Sequence, residues 1–214
     1  MDITAIKDSK QDSRILPLSF YVRNDVVQIS RELLGKFLVT HINGKITAGM
    51  IVETEAYRAS DDKACHAYNM RRTARTEVMF AEGGQAYIYL CYGIHHLFNV
   101  VTGPKNNAQA VLIRAVEAID NLPLMMQRRG REKAGPQLTA GPGVLSKALG
   151  ITTSLSGSSL LSSTGNIWIE DRDIHFQPKE IISSPRVGID YAEECKDWPW
   201  RFRVKHSKWT SKSK

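Results

Sequence analysis

Cysteine is scarce: Cys65, Cys91 and Cys195 are the only three in 214 residues. They are scattered, odd in number and form no CxxC pair. A disulfide framework and a zinc ribbon are therefore excluded, and the thiols read as small buried residues in a reducing compartment. Long apolar runs are missing, so no membrane span is expected. The opening stretch MDITAIKDSKQDSR lacks the apolar centre of a secretory signal. There is no internal repeat and no linker long enough to separate two domains. Histidines at metal-ligand spacing are lacking too. His66 stands alone, and His95-His96 are adjacent and cannot easily place both rings on one ion. No metal and no cofactor are expected.

What the sequence has in excess is positive charge. Lysine and arginine number 29 against 22 acids, a net charge of +7, and the pI is ≈ 9.4. Such a balance favours a polyanionic partner such as nucleic acid. The charge is clustered: Arg71, Arg72 and Arg75; then Arg128, Arg129, Arg131 and Lys133; then Arg201, Arg203, Lys205, Lys208, Lys212 and Lys214, with no acid interrupting the last stretch. One such cluster is equally well a solvated face; three together favour a polyanion. Hydrophobic residues at 42% and charged residues at 24% are ordinary for a globular chain, and the length suits one domain.

Residues 1–15 read as a flexible lead-in, 16–205 as the folded domain and 206–214 as a basic tail. Asn24 is a candidate cap for a helix over 25–34, stopped by Gly35. Strands over 36–42 and 45–53 flank Asn43-Gly44, the strongest hairpin signal in the chain. Ser60 could cap a short helix over 61–67, and 76–80 could be helical. Strands follow over 86–92, 95–102 and 110–116, then a helix over 122–127. Pro142 suits the first turn of a helix ending at Gly150. The stretch 152–164 is a Ser/Thr-rich surface loop. Late strands are expected at 166–170, 186–189 and 201–205. Strands in hairpin order, mixed with short helices, give an α+β domain on an antiparallel sheet.

The informative block runs from Ile51 to Arg114. In IVETEAY, strand alternation puts Glu53, Glu55 and Tyr57 on one face. A solvated face would explain such a pattern by itself. The continuation argues otherwise: His66, then Tyr87 and Tyr89 sharing a strand face, Asn99 on the partner strand, and Arg114 inside an apolar strand. Arg114 would be costly to bury alone and needs a carboxylate, Glu53 or Glu55. That pair would oppose the effect of burial on the glutamate and fix its orientation. Strand aromatics are usually core. Tyr92, at a hairpin tip beside Gly93, has no core to join and could enter a base stack.

These segments resemble the alkyladenine (3-methyladenine) DNA glycosylases of the mammalian type, also widespread in bacteria. The matching text is LLGKFLV at 33–39, IVETEAY at 51–57, His66, MF at 79–80, YIYLCYG at 87–93, Asn99, VLIRAVE at 111–117, GPGVLSKALGI at 141–151 and PRVGID at 185–190. It covers roughly 30–205. The segment MRRTA departs from the family's frequent Gly and Pro there. The resemblance implies one compact α+β domain: a curved, mostly antiparallel sheet surrounded by helices, with a protruding DNA-intercalating hairpin. It implies a monofunctional enzyme of base-excision repair that flips alkylated or deaminated purines, such as 3-methyladenine and hypoxanthine, and hydrolyses their N-glycosidic bond. Glu55 would be the general base and Arg114 would orient it and its water. Tyr57, His66 and Tyr89 would enclose the flipped base, Asn99 would exclude guanine, and Tyr92 would intercalate. The implied partner is double-stranded DNA met through the minor groove, by a monomer, in the cytoplasm at the nucleoid, or in the nucleus of a eukaryote.

Three other readings compete. GPGVLSKAL at 141–149 has the look of a helix-hairpin-helix turn with Lys147 as a Schiff-base nucleophile, but a plain helix start with a surface lysine is the stronger reading, since no late Asp after a second Gly-Pro element completes that motif. A non-catalytic nucleic-acid-binding module would account for the charge and the aromatics, yet leaves Glu55 and Arg114 unexplained. A sugar hydrolase could use Glu53 and Glu55, about 7 Å apart along a strand, but has no need of the basic charge.

Overall fold

The computed structural model describes residues 14–212. The lead-in expected over 1–15 therefore lies outside the described residues except for Arg14 and Ile15, and Ile15 bridges to Glu170. Two short helices come first, α1 (Leu18–Tyr21) and α2 (Val26–Glu32). The cap of α2 is Asp25 rather than Asn24. Its carboxylate accepts the Gln28 amide at 2.9 Å, whereas Asn24 is engaged by the side chains of Asn107 and Gln109.

Strands β1 (Phe37–Ile42) and β2 (Lys45–Arg58) pair as the hairpin that Asn43-Gly44 predicts, with Ile42 opposite Lys45. Both turn residues are left-handed, φ 53° and 71°, as a two-residue loop matched to strand twist requires. Then come β3 (Ala86–Cys91), β4 (His95–Thr102) and β5 (Gln109–Asp120). Helices α3 (Leu122–Arg129) and α4 (Pro142–Leu149) follow. The last strands are β6 (Ile167–Glu170), β7 (Ile181–Ser184) and β8 (Arg201–Val204). All named strand pairs are antiparallel, in the order β3-β4-β5-β2-β1-β6, with β8 joining β2 to β7.

β2 is the spine of the sheet. Its long edge pairs with β5, while its other edge is shared, first by β1 and then by β8. The register shifts around Glu53, between Ile51 and Thr54, where the edge changes partner. A bulge there bends the strand and re-aims its side chains. One continuous apolar cluster includes Val26, Ile29 and Leu33 of α2, Val52 and Ala56 of β2, Val111 and Ile113 of β5, and Leu145, Ala148 and Leu149 of α4. The residues alternating with those of β2 and β5 face the other way and are free for chemistry.

Two expected elements take another form. Residues 61–67 are a run of turns, not a helix. The Asp62 carboxylate accepts the Ala64 amide, two residues on, at 3.0 Å, which closes a local turn that competes with helix. The strand expected at 186–189 is irregular, and the strand lies earlier, at Ile181–Ser184. Arg186 and Val187 direct their polar groups at Asp62 and Glu55 instead of at a ladder.

Candidate active site

Sheet register assembles the site. Glu55 on β2 lies opposite Leu112 on β5, Leu112 opposite Asn99 on β4, and Asn99 opposite Tyr87 on β3. One row across four strands thus carries a carboxylate, an amide and a phenol on the same face. Two residues along each strand the same face returns, which adds Tyr57, Arg114 and Tyr89. Together with His66 these residues line one cavity of about 650 Å³. Met79 and Ala110, which belong to a second apolar cluster with Cys65, Ala67, Phe80 and Val101, also line it. Gly141, Pro142 and Gly143, at the start of α4, also line it. A Cβ on Gly143 would stand 2.8 Å from the ring of His95, so glycine there permits the helix to meet the β3–β4 hairpin.

Glu55 is fully buried. Its Oε2 accepts the Tyr57 hydroxyl at 2.8 Å and its Oε1 accepts the backbone amide of Val187 at 2.8 Å. An Arg114 Nη lies 3.4 Å from the same carboxylate. Arg114 holds Glu53 more closely, Nε to Oε1 at 2.9 Å. Burial works to discharge Arg114, but Glu55 and Glu53 outweigh it and raise its pKa. Burial, then the negative Glu55, push the Tyr57 phenol well up, so it remains a donor. Arg186 covers one face of the Tyr57 ring at 4.7 Å. It is anchored by a buried pairing with Asp62, at 2.5 and 2.7 Å, and by the carbonyl of Ala56 at 2.8 Å.

Across the cavity, the His66 Nδ1 is 3.0 Å from the Tyr87 hydroxyl, and the ring packs edge-on against Tyr89 with centroids 4.6 Å apart. Burial, then the guanidinium of Arg75, lower the His66 pKa to about 4. The ring is therefore neutral at pH 7. Asn99 is buried and gives its amide hydrogens to the carbonyls of Tyr87 and Leu97, at 3.1 and 3.2 Å. Its side chain cannot turn aside without losing them. At the cavity rim the β3–β4 hairpin ends in Tyr92 and Gly93, both left-handed at φ 51° and 73°. Tyr92 is 91% exposed and Ile94 71%. Among the described residues little covers this apolar pair.

Residues 19–208 match the family model described as methylpurine-DNA glycosylase. The chain belongs to that family. A relative from Chlamydia felis, named "Putative 3-methyladenine DNA glycosylase", is 49% identical over 201 residues, 91% of this chain and 99% of the relative. Relatives of the same name from Bacillus cereus strain G9842 and Clostridium botulinum are 46% and 45% identical, each across 92% of this chain and 98–99% of their own length. The chain is accordingly a DNA glycosylase for alkylated bases.

In this glycosylase the structure gathers Glu55, Tyr57, His66, Tyr89, Asn99 and Arg114 around one cavity, with Tyr92 on its rim. His66 arrives there on the turns after β2 and not on a helix. Glu53 does not line the cavity. Its carboxylate is committed to Arg114, to Arg201 at 2.8 Å, and to the amide and hydroxyl of Ser211 at 2.5 and 2.8 Å. That removes the sugar-hydrolase reading, which needs both acids to face a substrate. Lys147 is exposed on α4 and is likewise absent from the lining. Arg201 is not part of a basic surface, because it is buried against Glu53.

Sequence reasoning did not find Arg186, Val187, Asp62 or Ser211. Arg186 carried a usable signal, a charge inside PRVGID that would need an acid if buried. Val187 acts through its backbone and Ser211 is an ordinary serine, so neither carried one. Elsewhere, Asp171, Asp173 and His175 bring metal-ligand atoms together. The ammonium of Lys36 sits among them, 2.5 Å from Asp171 and 3.3 Å from His175, and supplies the positive charge. Among the described residues no helix is long and apolar enough to cross a membrane.

Proposed function

We propose that the chain draws single damaged purines out of duplex DNA into the aromatic cavity and hydrolyses their N-glycosidic bond with Glu55 as general base. The supporting observation is the buried Glu55 carboxylate, oriented by three donors at one side of a cavity walled by Tyr57, His66 and Tyr89. Chemistry on a base requires it to leave the stack, and damaged bases leave most cheaply. The hairpin meets the minor groove, and Tyr92 fills the gap the base vacates.

In the reaction, water attacks C1′ of the deoxyribose while the bond to the purine nitrogen breaks and its electron pair departs with the base. Glu55 accepts a proton from the water, worth about 10²–10⁴-fold in rate. Its negative charge also opposes the positive charge developing on the sugar, and Arg114 keeps it and the water in line. 3-Methyladenine is a cation and leaves as a neutral molecule without an acid. Hypoxanthine is neutral and must be protonated to leave. A cationic base is attracted to aromatic faces, and the neutral state of His66 spares it a like charge. Asn99 clashes with the exocyclic amine of guanine. Among the described residues no lysine lines the cavity to form a Schiff base, in keeping with hydrolysis without strand cleavage by a monomer acting on cytoplasmic DNA.

The test is to incubate the protein with duplex DNA methylated by dimethyl sulfate and with duplexes carrying one hypoxanthine. Free 3-methyladenine and hypoxanthine are expected, and strands should break only after heating in alkali. Binding without release of any base would leave a nucleic-acid-binding module. Strand breaks before alkali would show a lyase.

A further inference from the structure

The chemistry proposed above uses Glu55 and Arg114, but it leaves unexplained an equally buried carboxylate two residues away. Glu53 is fully buried on the spine strand. Its Oε1 receives Arg114 Nε, Arg201 Nε and the Ser211 hydroxyl, and its Oε2 receives the Ser211 amide. A terminal guanidinium nitrogen of Arg114 is 3.4 Å from the Ser211 hydroxyl, and so is one of Arg201. Glu53, Glu55, Arg114 and Arg201 therefore form a buried group of two anions and two cations, closed from outside by the segment after β8. That segment is held by Trp209, which packs against the main core.

From this arrangement we infer that Glu53 and Ser211 are positioning residues. They hold the Nε side of Arg114, so that only one terminal nitrogen reaches Glu55, and at a loose 3.4 Å. A guanidinium left to itself beside a carboxylate turns both forks onto it at closer range. If Arg114 did so at Glu55, it would cover oxygen that has to take a proton from water. Glu53 draws Arg114 back, the Ser211 amide and hydroxyl hold Glu53, and Arg201 supplies the second positive charge that makes two adjacent buried acids tolerable. The C-terminal segment then acts on the rate of base release, although it lines no part of the cavity. The register shift at Glu53 serves the same end, since it aims this acid at Arg201 and Ser211 while Glu55 faces the cavity.

The test measures single-turnover release of 3-methyladenine from dimethyl-sulfate-treated duplex DNA with enzyme in excess. Alongside it run affinity for a duplex containing a tetrahydrofuran abasic analogue, and thermal melting. Glu53→Gln is expected to slow release by roughly 10²-fold, the scale of a misplaced catalytic group, with affinity within about threefold. Glu53→Gln leaves two buried guanidiniums short of an anion and could fail to fold, so Ser211→Ala gives the milder measurement. It should slow release by about three- to tenfold with affinity and melting little changed, and Ser211→Thr, which keeps a hydroxyl, should recover most of the loss. Wild-type rates in the folded variants would overturn the positioning role. So would losses that only track the unfolded fraction at the assay temperature. The role rests on the function proposed above and falls with it if the wild-type protein releases no base. Release by wild type, matched by both variants, would overturn the positioning role alone.

Discussion

At Glu55 the chain buries a carboxylate whose desolvation would cost several kcal/mol without partners. The partners come from three separate places: a side chain two residues on, a backbone amide 132 residues on, and an arginine 59 residues on. His66 shows the opposite case, a titratable group kept uncharged by burial and by Arg75. Its folded pKa of about 4 lies below the unfolded value near 6.5, so between these values the unfolded chain binds more protons. The stability it contributes is complete above pH 6.5 and is lost as pH falls toward 4. An NMR titration should place the His66 midpoint near 4; a midpoint at 6.5 would show that the ring is not shielded as described. In the proposed reaction, selectivity rests on Asn99, held by the Tyr87 and Leu97 carbonyls. Asn99→Ala should admit guanine, read as faster release of guanine from undamaged duplex DNA than by wild type. Unchanged discrimination would remove Asn99 as the gate.

At the scale of elements, the β3–β4 hairpin is the part that the proposed function turns toward DNA. Its register is fixed by pairing from Ala86↔Val100 to Cys91↔His95, yet its tip offers Tyr92 and Ile94 to solvent. Tyr92→Ser should leave melting unchanged, because the side chain is 91% exposed, and should slow excision from duplex DNA more than from single strands. Equal effects on both would argue against intercalation. This element was legible in the sequence, since Gly93 and the alternating aromatics mark both the turn and the face. So was the Asn43-Gly44 hairpin. The turns at 61–67 were not, because polar residues after a strand look like a capped helix until Asp62 is seen to be pinned by Arg186, 124 residues away. The same long-range pair hid the irregular course of 186–189. Local pattern reports what a residue prefers, and a buried ion pair with a distant partner overrides it.

For the whole molecule, the sequence pointed to one α+β domain, and Tyr57, Tyr87, Tyr89 and Glu55 do line one cavity, while Glu53 does not. Charge was read less well. Arg201 is used inside, and Arg128 donates to Ala148 and Thr47, whereas Arg71 and Arg72 are exposed. Arg71→Ala with Arg72→Ala should weaken binding to damaged and intact duplexes alike. It should also flatten the dependence of affinity on salt, by about 0.9 in the log–log slope for each phosphate no longer neutralised. An unaltered slope would show that this cluster faces solvent when DNA is bound.

Glu55→Gln is the most direct test, assayed by single-turnover release of 3-methyladenine from methylated duplex DNA beside affinity for a tetrahydrofuran-containing duplex. The amide keeps the shape and the acceptor for Tyr57 but cannot take the proton. Release should fall by about 10²–10⁴-fold while affinity holds. Release at the wild-type rate by a folded Glu55→Gln protein would contradict a general-base role for this carboxylate, and with it the reaction proposed for the cavity.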